Sequence, residues 1–493
     1  MPGVVVNTGV RVGGVGVETA PSSTFFVVGT AQRGRTSAPV AVRSMQDFEA
    51  EYGSYDANCT LHQHMKAFFE EGGIRAVVQR VVGPAATAGT VDLQDADTDT
   101  CIVLTAANAG AWSSDISATV VKTSGTYSIS ISLDGVEILS SGSGLTTPAE
   151  AITLINNTIS HIVVASAGAS DNIPDSQTEP LSAGDDDIDN VLFTDDDFAA
   201  ALDNFGEDYG TGAVSIPEKY GATIWNALKS HAVEYKRIAI CGFDPDASST
   251  SAISSASSYG GATAGAKSES SHMAFYWPSV TIPDDNGGTM NISPESFVAA
   301  VRTRSIIDNG GPWKPAAGVS SAARFAVGLS NDGSATKVTK SVGNALDAGR
   351  VNAIRVIDGQ IRIYGARSAS ADEANWRYIT YRDTVNQIAT NCENALEHYV
   401  FSPIDSRKNL FGAISSNLVS ILEAVKDLGG LYPMVDALGT QVDRGYSVEV
   451  SDALNPINDL AEGRIAARVG VRVAGVADLI TLTITKSSLT AAL

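Results

Sequence analysis

Short apolar runs alternate with segments of helical period along much of this chain, and that alternation confines it to a sheet layered with helices. FFVVGTA at 25–31 reads as a buried strand, and Ser44 is a plausible N-cap for a short helix over 44–48. LHQHMKAFFEEGG at 61–73 places Leu61, Met65, Phe68 and Phe69 on one helical face and stops at Gly72 and Gly73. IRAVVQRVV at 74–82 is a second strand. Strand, helix and strand with short connections predict a βαβ-like unit. The alternation returns later. DFAAALDNF at 197–205 is a helix opened by a capping box of Thr194 and Asp197. GAVSIP (212–217) is a strand, YGATIWNALKSHAVEY (220–235) a helix and RIAICGFD (237–244) a strand. SHMAFYWPSVTIPD (271–284) reads as one more buried strand and SPESFVAAVRTRSII (293–307) as a helix. The predicted fold class is mixed α/β, with helices on both faces of the sheet.

Between residues 85 and 178 the character changes to Thr, Ser and Gly with a period of two. In YSISISLDG at 127–135, Tyr127, Ile129, Ile131 and Leu133 share one face, and Ser128, Ser130 and Ser132 the other. Asp134-Gly135 is a hairpin turn signal. This segment is expected to be an inserted, surface-exposed β domain with one helix at 148–159. Beyond it, a strand pair is predicted at 354–365, a long helix at 380–399, and a second helix at 411–428 closed by Gly429 and Gly430. The ends stand apart. NTGVRVGGVGVE at 7–18 has too many glycines for a helix, and with Val4, Val5, Val6, Val10 and Val12 it reads as an extended arm. GRIAARVGVRVAG at 463–475 alternates, and LITLTITKSSLTAAL at 479–493 alternates Ile480, Leu482 and Ile484 with threonines. A strand that regular needs a ladder partner; without one in its own chain, it is donated to a neighbouring subunit. The expected boundaries are an arm at 1–20, an α/β domain at 21–84 and 179–353, the β insertion at 85–178, a C-terminal α+β domain at 354–474, and a terminal strand at 475–493.

Charge narrows the function. Against 33 Lys and Arg stand 55 Asp and Glu, a formal net charge of −22. That balance argues against nucleic acid and anionic membrane surfaces as partners, since both need a basic footprint. The four cysteines, Cys59, Cys101, Cys241 and Cys392, include no close pair, so reduced, mostly buried thiols are expected. MPGVVVNTGV lacks the basic and apolar regions of a signal peptide, and no run approaches the roughly 20 apolar residues of a membrane helix. Candidate chemistry is sparse. None of the six histidines falls in a zinc-site spacing, and His62 and His64 point to different faces of one helix. Asp185, Asp187 and Asp189 begin like an EF-hand loop, but Asn190 and Asp196 stand where Gly and Glu belong, so a solvated acidic turn reads better. Asp244 and Asp246 follow a strand end, where a turn explains them without catalysis. There is no phosphate-binding glycine loop and no nucleophile elbow. No catalytic, cofactor-binding or metal residue is assigned.

Several stretches, in order along the chain, resemble the contractile tail sheath proteins of bacteriophages and related injection systems. PGVVV at 2–6 looks like the arm that opens such proteins. STFFVVGTAQRG at 23–34 is similar to a family strand, with Arg35 where proline is usual. PVAVRSMQDFEAEYG (39–53), FFEEGGIRAVVQRV (68–81) and NAGAWSSDISATV (108–120) continue the pattern, with Ser113-Ser114 in place of Gly-Asn. GGPWKPAAG (310–318) and IRIYGARSAS with NWRYITYRDTVNQI (361–388) complete it.

The resemblance implies a structural subunit and no enzyme. Such subunits stack as hexameric rings around an inner tail tube, bind baseplate and tail terminator proteins, and contract to drive the tube through a host envelope. No cofactor, nucleic acid or membrane insertion is implied, and the expected location is the virion tail, assembled in host cytoplasm. By the same resemblance, Val4, Val5, Val6, Val10, Val12, Ile480, Leu482 and Ile484 would form inter-subunit arm strands. Gly13, Gly14 and Gly475 are hinge candidates or ordinary loop glycines. Arg407, Lys408 and Lys426 are tube-facing candidates or solvated surface charges. The rival readings are an α/β enzyme of unknown chemistry and another virion shell protein, with an adhesive role for the β insertion as a minor addition.

Overall fold

The computed structural model describes residues 22–478 apart from 143, 332, 333, 336, 406 and 407. The chain divides into two units. The larger, residues 20–307 and 316–379, is built on an eight-stranded sheet. Its strands are β1 (Thr24–Gly29), β2 (Val40–Val42), β3 (Ala76–Arg80), β4 (Gly212–Ser215), β5 (Ile238–Cys241), β6 (Met273–Trp277), β7 (Val351–Ile357) and β8 (Gln360–Ile363). They lie in the order β8-β7-β6-β5-β4-β1-β3-β2. β3, β1, β4, β5, β6 and β7 run parallel, and β2 and β8 close the two edges antiparallel. Every residue of β1, β3, β4, β5 and β6 is buried, so both faces of the sheet are covered. The main helices of this unit are α1 (Met45–Tyr52), α2 (Leu61–Glu70), α3 (Ala222–Glu234) and α4 (Glu295–Asn309).

Local chemistry explains several element ends. The Ser44 hydroxyl caps α1 by accepting from the Asp47 N–H at 3.1 Å. Thr194 and Asp197 form the capping box expected of them. α2 stops where Gly72 takes a φ of +104°, a conformation open to glycine and costly for other residues. Two details differ from the sequence reading. The apolar stretch over 271–284 is two strands: β6 ends at Trp277, and Ser279–Pro283 joins a separate four-stranded antiparallel sheet. Pro278 between them has no N–H to continue a ladder. The strand pair around 354–365 belongs to the large sheet, because β7 lies beside β6 in parallel register.

Residues 90–180 carry a second core, formed by a three-stranded sheet, a four-stranded sheet and the helix Pro148–Thr158. Tyr127, Ile129, Ile131 and Leu133 face this core and the intervening serines are only partly buried, as the period of two requires. Asp134 and Gly135 both have positive φ, the geometry of a tight hairpin turn. One side chain ties this segment to the large sheet. Arg80, at the end of β3, is fully buried, and the nearby Asp186 carboxylate offsets part of the cost of burying its charge. Its guanidinium donates to the carbonyls of Ala31 (2.9 Å), Gly34 (3.0 Å) and Ala109 (2.9 Å). Arg237 is held the same way by the carbonyls of Phe205, Gly206 and Gly210, and lies over the Phe26 ring at 3.8 Å.

The smaller unit, described over 308–315 and 380–478, contains α5 (Ile379–Leu396) from Thr380 onward, α6 (Asn409–Asp427), β9 (Tyr446–Glu449) and β10 (Arg468–Val471). Leu410, Ile414, Leu418, Leu422 and Val425 recur at helical spacing and form the buried stripe of α6. That stripe packs with Val448, Val469 and Val471 of the strand pair. Each such aliphatic side chain contributes about 2 kcal/mol on full burial. All four cysteines are free thiols, three of them buried.

Replacing Arg80 by Met is expected to cost on the order of 3 kcal/mol, because three buried carbonyls lose their donors. Chemical denaturation followed by circular dichroism reads this directly. A loss below about 0.5 kcal/mol would show that water replaces the guanidinium without penalty.

Candidate assembly surface

β9 and β10 pair antiparallel with Tyr446 opposite Val471, Val448 opposite Val469 and Glu449 opposite Arg468. Alternation places Tyr446, Val448, Val469 and Val471 on the α6 side and Ser447, Glu449 and Arg468 on the other. Beyond one bridge from Leu431 to Val473, no third strand joins this sheet among the described residues. Two strands alone are marginal, and an unpaired edge presents a row of N–H and C=O groups that templates another strand. The large sheet also ends in single edge strands, β2 and β8, but its parallel interior is enclosed.

The expected arm residues Val4, Val5, Val6, Val10, Val12, Ile480, Leu482 and Ile484 lie outside the described residues, as do Gly13, Gly14 and Arg407. Gly475 is exposed, and an added Cβ there would meet open space. Its surroundings therefore impose no steric demand for glycine. Lys408 precedes α6 with a φ of +59°, and its ammonium pairs with Asp452. Lys426 sits in the last turn of α6 and pairs with Glu423. Glu423 also accepts from the Tyr446 hydroxyl and has the Arg444 guanidinium 3.5 Å away. The Lys426 hydrogen bond holds the Glu423 carboxyl below its usual range, and Glu423 raises the Lys426 ammonium in turn. Lys408 and Lys426 thus stand at opposite ends of α6, each compensated within its own unit.

Other surface features escaped the sequence reading. Residues 431–443 form a hairpin pinned by the bridge between Val435 and Gln441 and by the Arg472–Asp443 pair at 2.9 Å. It exposes Met434, Val435, Leu438 and Val442, and Phe401 is fully exposed in the loop before α6. The only written signal was apolar residues set among Pro433, Asp436 and Gly439, which resembles any loop.

The candidate chemical groups resolve into packing and turns. His62 reaches Glu49 at 3.2 Å, while His64 bonds to Ser296 and Glu218, each at 3.1 Å, so the two rings serve different neighbours. Asp187 accepts from the Ala85 N–H and from the Asn190 amide, closing its own turn. Asp244 accepts from the Asp246 N–H at 2.9 Å, another local turn. Among the described residues, no group of three or more His, Cys, Asp or Glu side chains is arranged to hold a metal ion. No helix among them is long and apolar enough to cross a membrane.

No protein-family profile matches the chain. No curated protein sequence matches it either. Solved structures do. A sheath tail protein from Listeria innocua superposes with a TM-score of 0.62 at 13% identity, over 88% of this chain and 92% of that one. A sheath tail protein from Desulfitobacterium hafniense gives 0.58 at 13% identity, over 91% and 93%. The helical sheath of the anti-feeding prophage, in its contracted state, gives 0.54 at 15% identity, over 98% and 100%. These likenesses span nearly the whole chain, and its fold is that of contractile sheath proteins.

Proposed function

We propose that this chain is the structural subunit of a contractile sheath. It polymerises as stacked hexameric rings around an inner tube, with baseplate and tail terminator proteins at the two ends, in a virion tail assembled in the host cytoplasm. The observation that carries this reading is the β9–β10 pair, a two-stranded sheet with room for further strands, in a chain whose two ends alternate like strands. Strands donated by neighbouring subunits would complete that sheet through main-chain hydrogen bonds and link rings into a mesh. Rigid units joined by such a mesh can rotate while the links persist, which is what contraction needs. The work comes from interfaces formed during repacking, with the extended form metastable.

Tube contact is assigned to the start of α6, where Arg407 and Lys408 adjoin one another. Lys426, at the far end of α6, is a further candidate; like Lys408, which pairs with Asp452, it already has a carboxylate partner in its own unit.

Electron microscopy of the purified full chain at raised concentration is expected to show helical tubes, and truncation after Asp478 is expected to abolish them. Uniform small particles from the full chain, even when co-expressed with its neighbouring tube protein, would return the enzyme reading to first place. The double substitution Arg407→Glu with Lys408→Glu is expected to weaken co-sedimentation with the tube at least tenfold while tube-free assembly persists. Unchanged co-sedimentation would remove this pair from the contact.

A further inference from the structure

A closed polar cluster lies at the C-terminal ends of β4 and β5, around the first turn of α4. Its centre is Glu295, whose side chain is 1% exposed. One carboxyl oxygen, Oε1, accepts from the Gly242 N–H just beyond β5 at 2.8 Å. The other, Oε2, is buried and makes no hydrogen bond. A second carboxylate, Glu218, belongs to the same cluster. It accepts from His64 Nε2 on α2 (3.1 Å), from the Ser293 N–H (2.7 Å) and from the Tyr220 hydroxyl (2.7 Å). Ser293 and Ser296, which flank Glu295, bond back to Glu218 N–H (3.2 Å) and His64 Nδ1 (3.1 Å). The titratable groups facing Glu295 are therefore His64 from α2, Glu218 and Tyr220 from the segment after β4, and Cys241 at the end of β5.

We propose that Glu295 acts as a proton-controlled latch, holding the first turn of α4 against the ends of β4 and β5 while its carboxyl is protonated and releasing it on ionisation. Three structural facts carry this. The carboxyl is out of water, its second oxygen has no donor to stabilise a charge, and another carboxylate already occupies the cluster with better hydrogen bonds. Burial accordingly pushes Glu295 up to about 7, while bonds from His64, Ser293 and Tyr220 outweigh burial and hold Glu218 down at about 2. Glu218 keeps the charge and Glu295 keeps the proton. The location matters because α4 begins in the larger unit at Glu295 and carries the chain into the smaller unit at Asp308. A latch at its start governs how firmly the connecting helix is anchored.

The sign follows from linkage. Glu295 binds its proton more tightly when seated than when open, so seating is fully favoured below its ordinary range. That advantage is lost as pH rises to about 7. Glu218 works in the opposite direction, but only below the ordinary carboxylate range, so the two effects occupy different pH windows.

Hydrogen exchange of the full chain, read by mass spectrometry on peptides spanning 293–300 and corrected for intrinsic chemical exchange, tests the latch. In the wild type the opening constant is expected to rise about tenfold per pH unit between roughly pH 5 and 7 and to level off above. Glu295→Gln, which keeps the acceptor for Gly242, is expected to show no such slope. A wild-type opening constant that is flat over this window, or an equal slope in the variant, overturns the proposal. If the variant does not fold, infrared spectroscopy of the wild type decides. A carboxylic-acid C=O band that fades between about pH 6 and 8 supports the latch, and the lack of any such band overturns it.

Discussion

Five parallel strands, β3, β1, β4, β5 and β6, are buried along their whole length and leave no solvent side to the middle of the sheet, so each polar group that enters it must bring its own partners. The apolar runs of β1 and β6 meet that condition by avoiding polarity. Arg80 and Arg237 meet it differently. Their fork-shaped donors collect carbonyls from loops that no ladder could reach, and so turn irregular backbone into part of the core. Because Arg80 reaches Ala109, the same device anchors the β insertion to its host. Enclosure also explains Glu295. In an open sheet its carboxyl would simply be solvated and would carry no pH dependence.

The two units manage strand edges in contrasting ways. In the larger unit, β2 and β8 are the edges of an eight-stranded sheet whose interior is enclosed. In the smaller unit, β9 and β10 rest on α6 and leave backbone groups available. That difference fits the proposed division between a rigid body and a linking element. The compensated ion pairs of the smaller unit fit this division. Lys426, Glu423, Arg444 and Tyr446 brace α6 against the strand pair and spend their charge internally.

Much of the architecture was legible in the residue order. The β1–α2–β3 unit, the Ser44 and Thr194 caps, the Asp134-Gly135 turn and the helix α6 with its closing glycines all depend largely on interactions between residues close in sequence. Periodicity and capping chemistry therefore reveal them. The split of 271–284 into two strands was missed although Pro278 marks it, because an apolar run carries no sign of which sheet its halves will join.

What the sequence by itself determined was many of the elements, their amphipathic faces and the alternation at the two ends, since these follow from local sterics and a period of two or 3.6. Tertiary structure alone decided the rest. It placed β7 beside β6, brought Arg80 to the carbonyl of Ala109, and gathered His64, Glu218 and Glu295 from stretches more than 70 residues apart into one dry pocket of charge. Those outcomes depend on desolvation, which acts through whatever the folded chain packs around a group and leaves no mark on its neighbours in sequence.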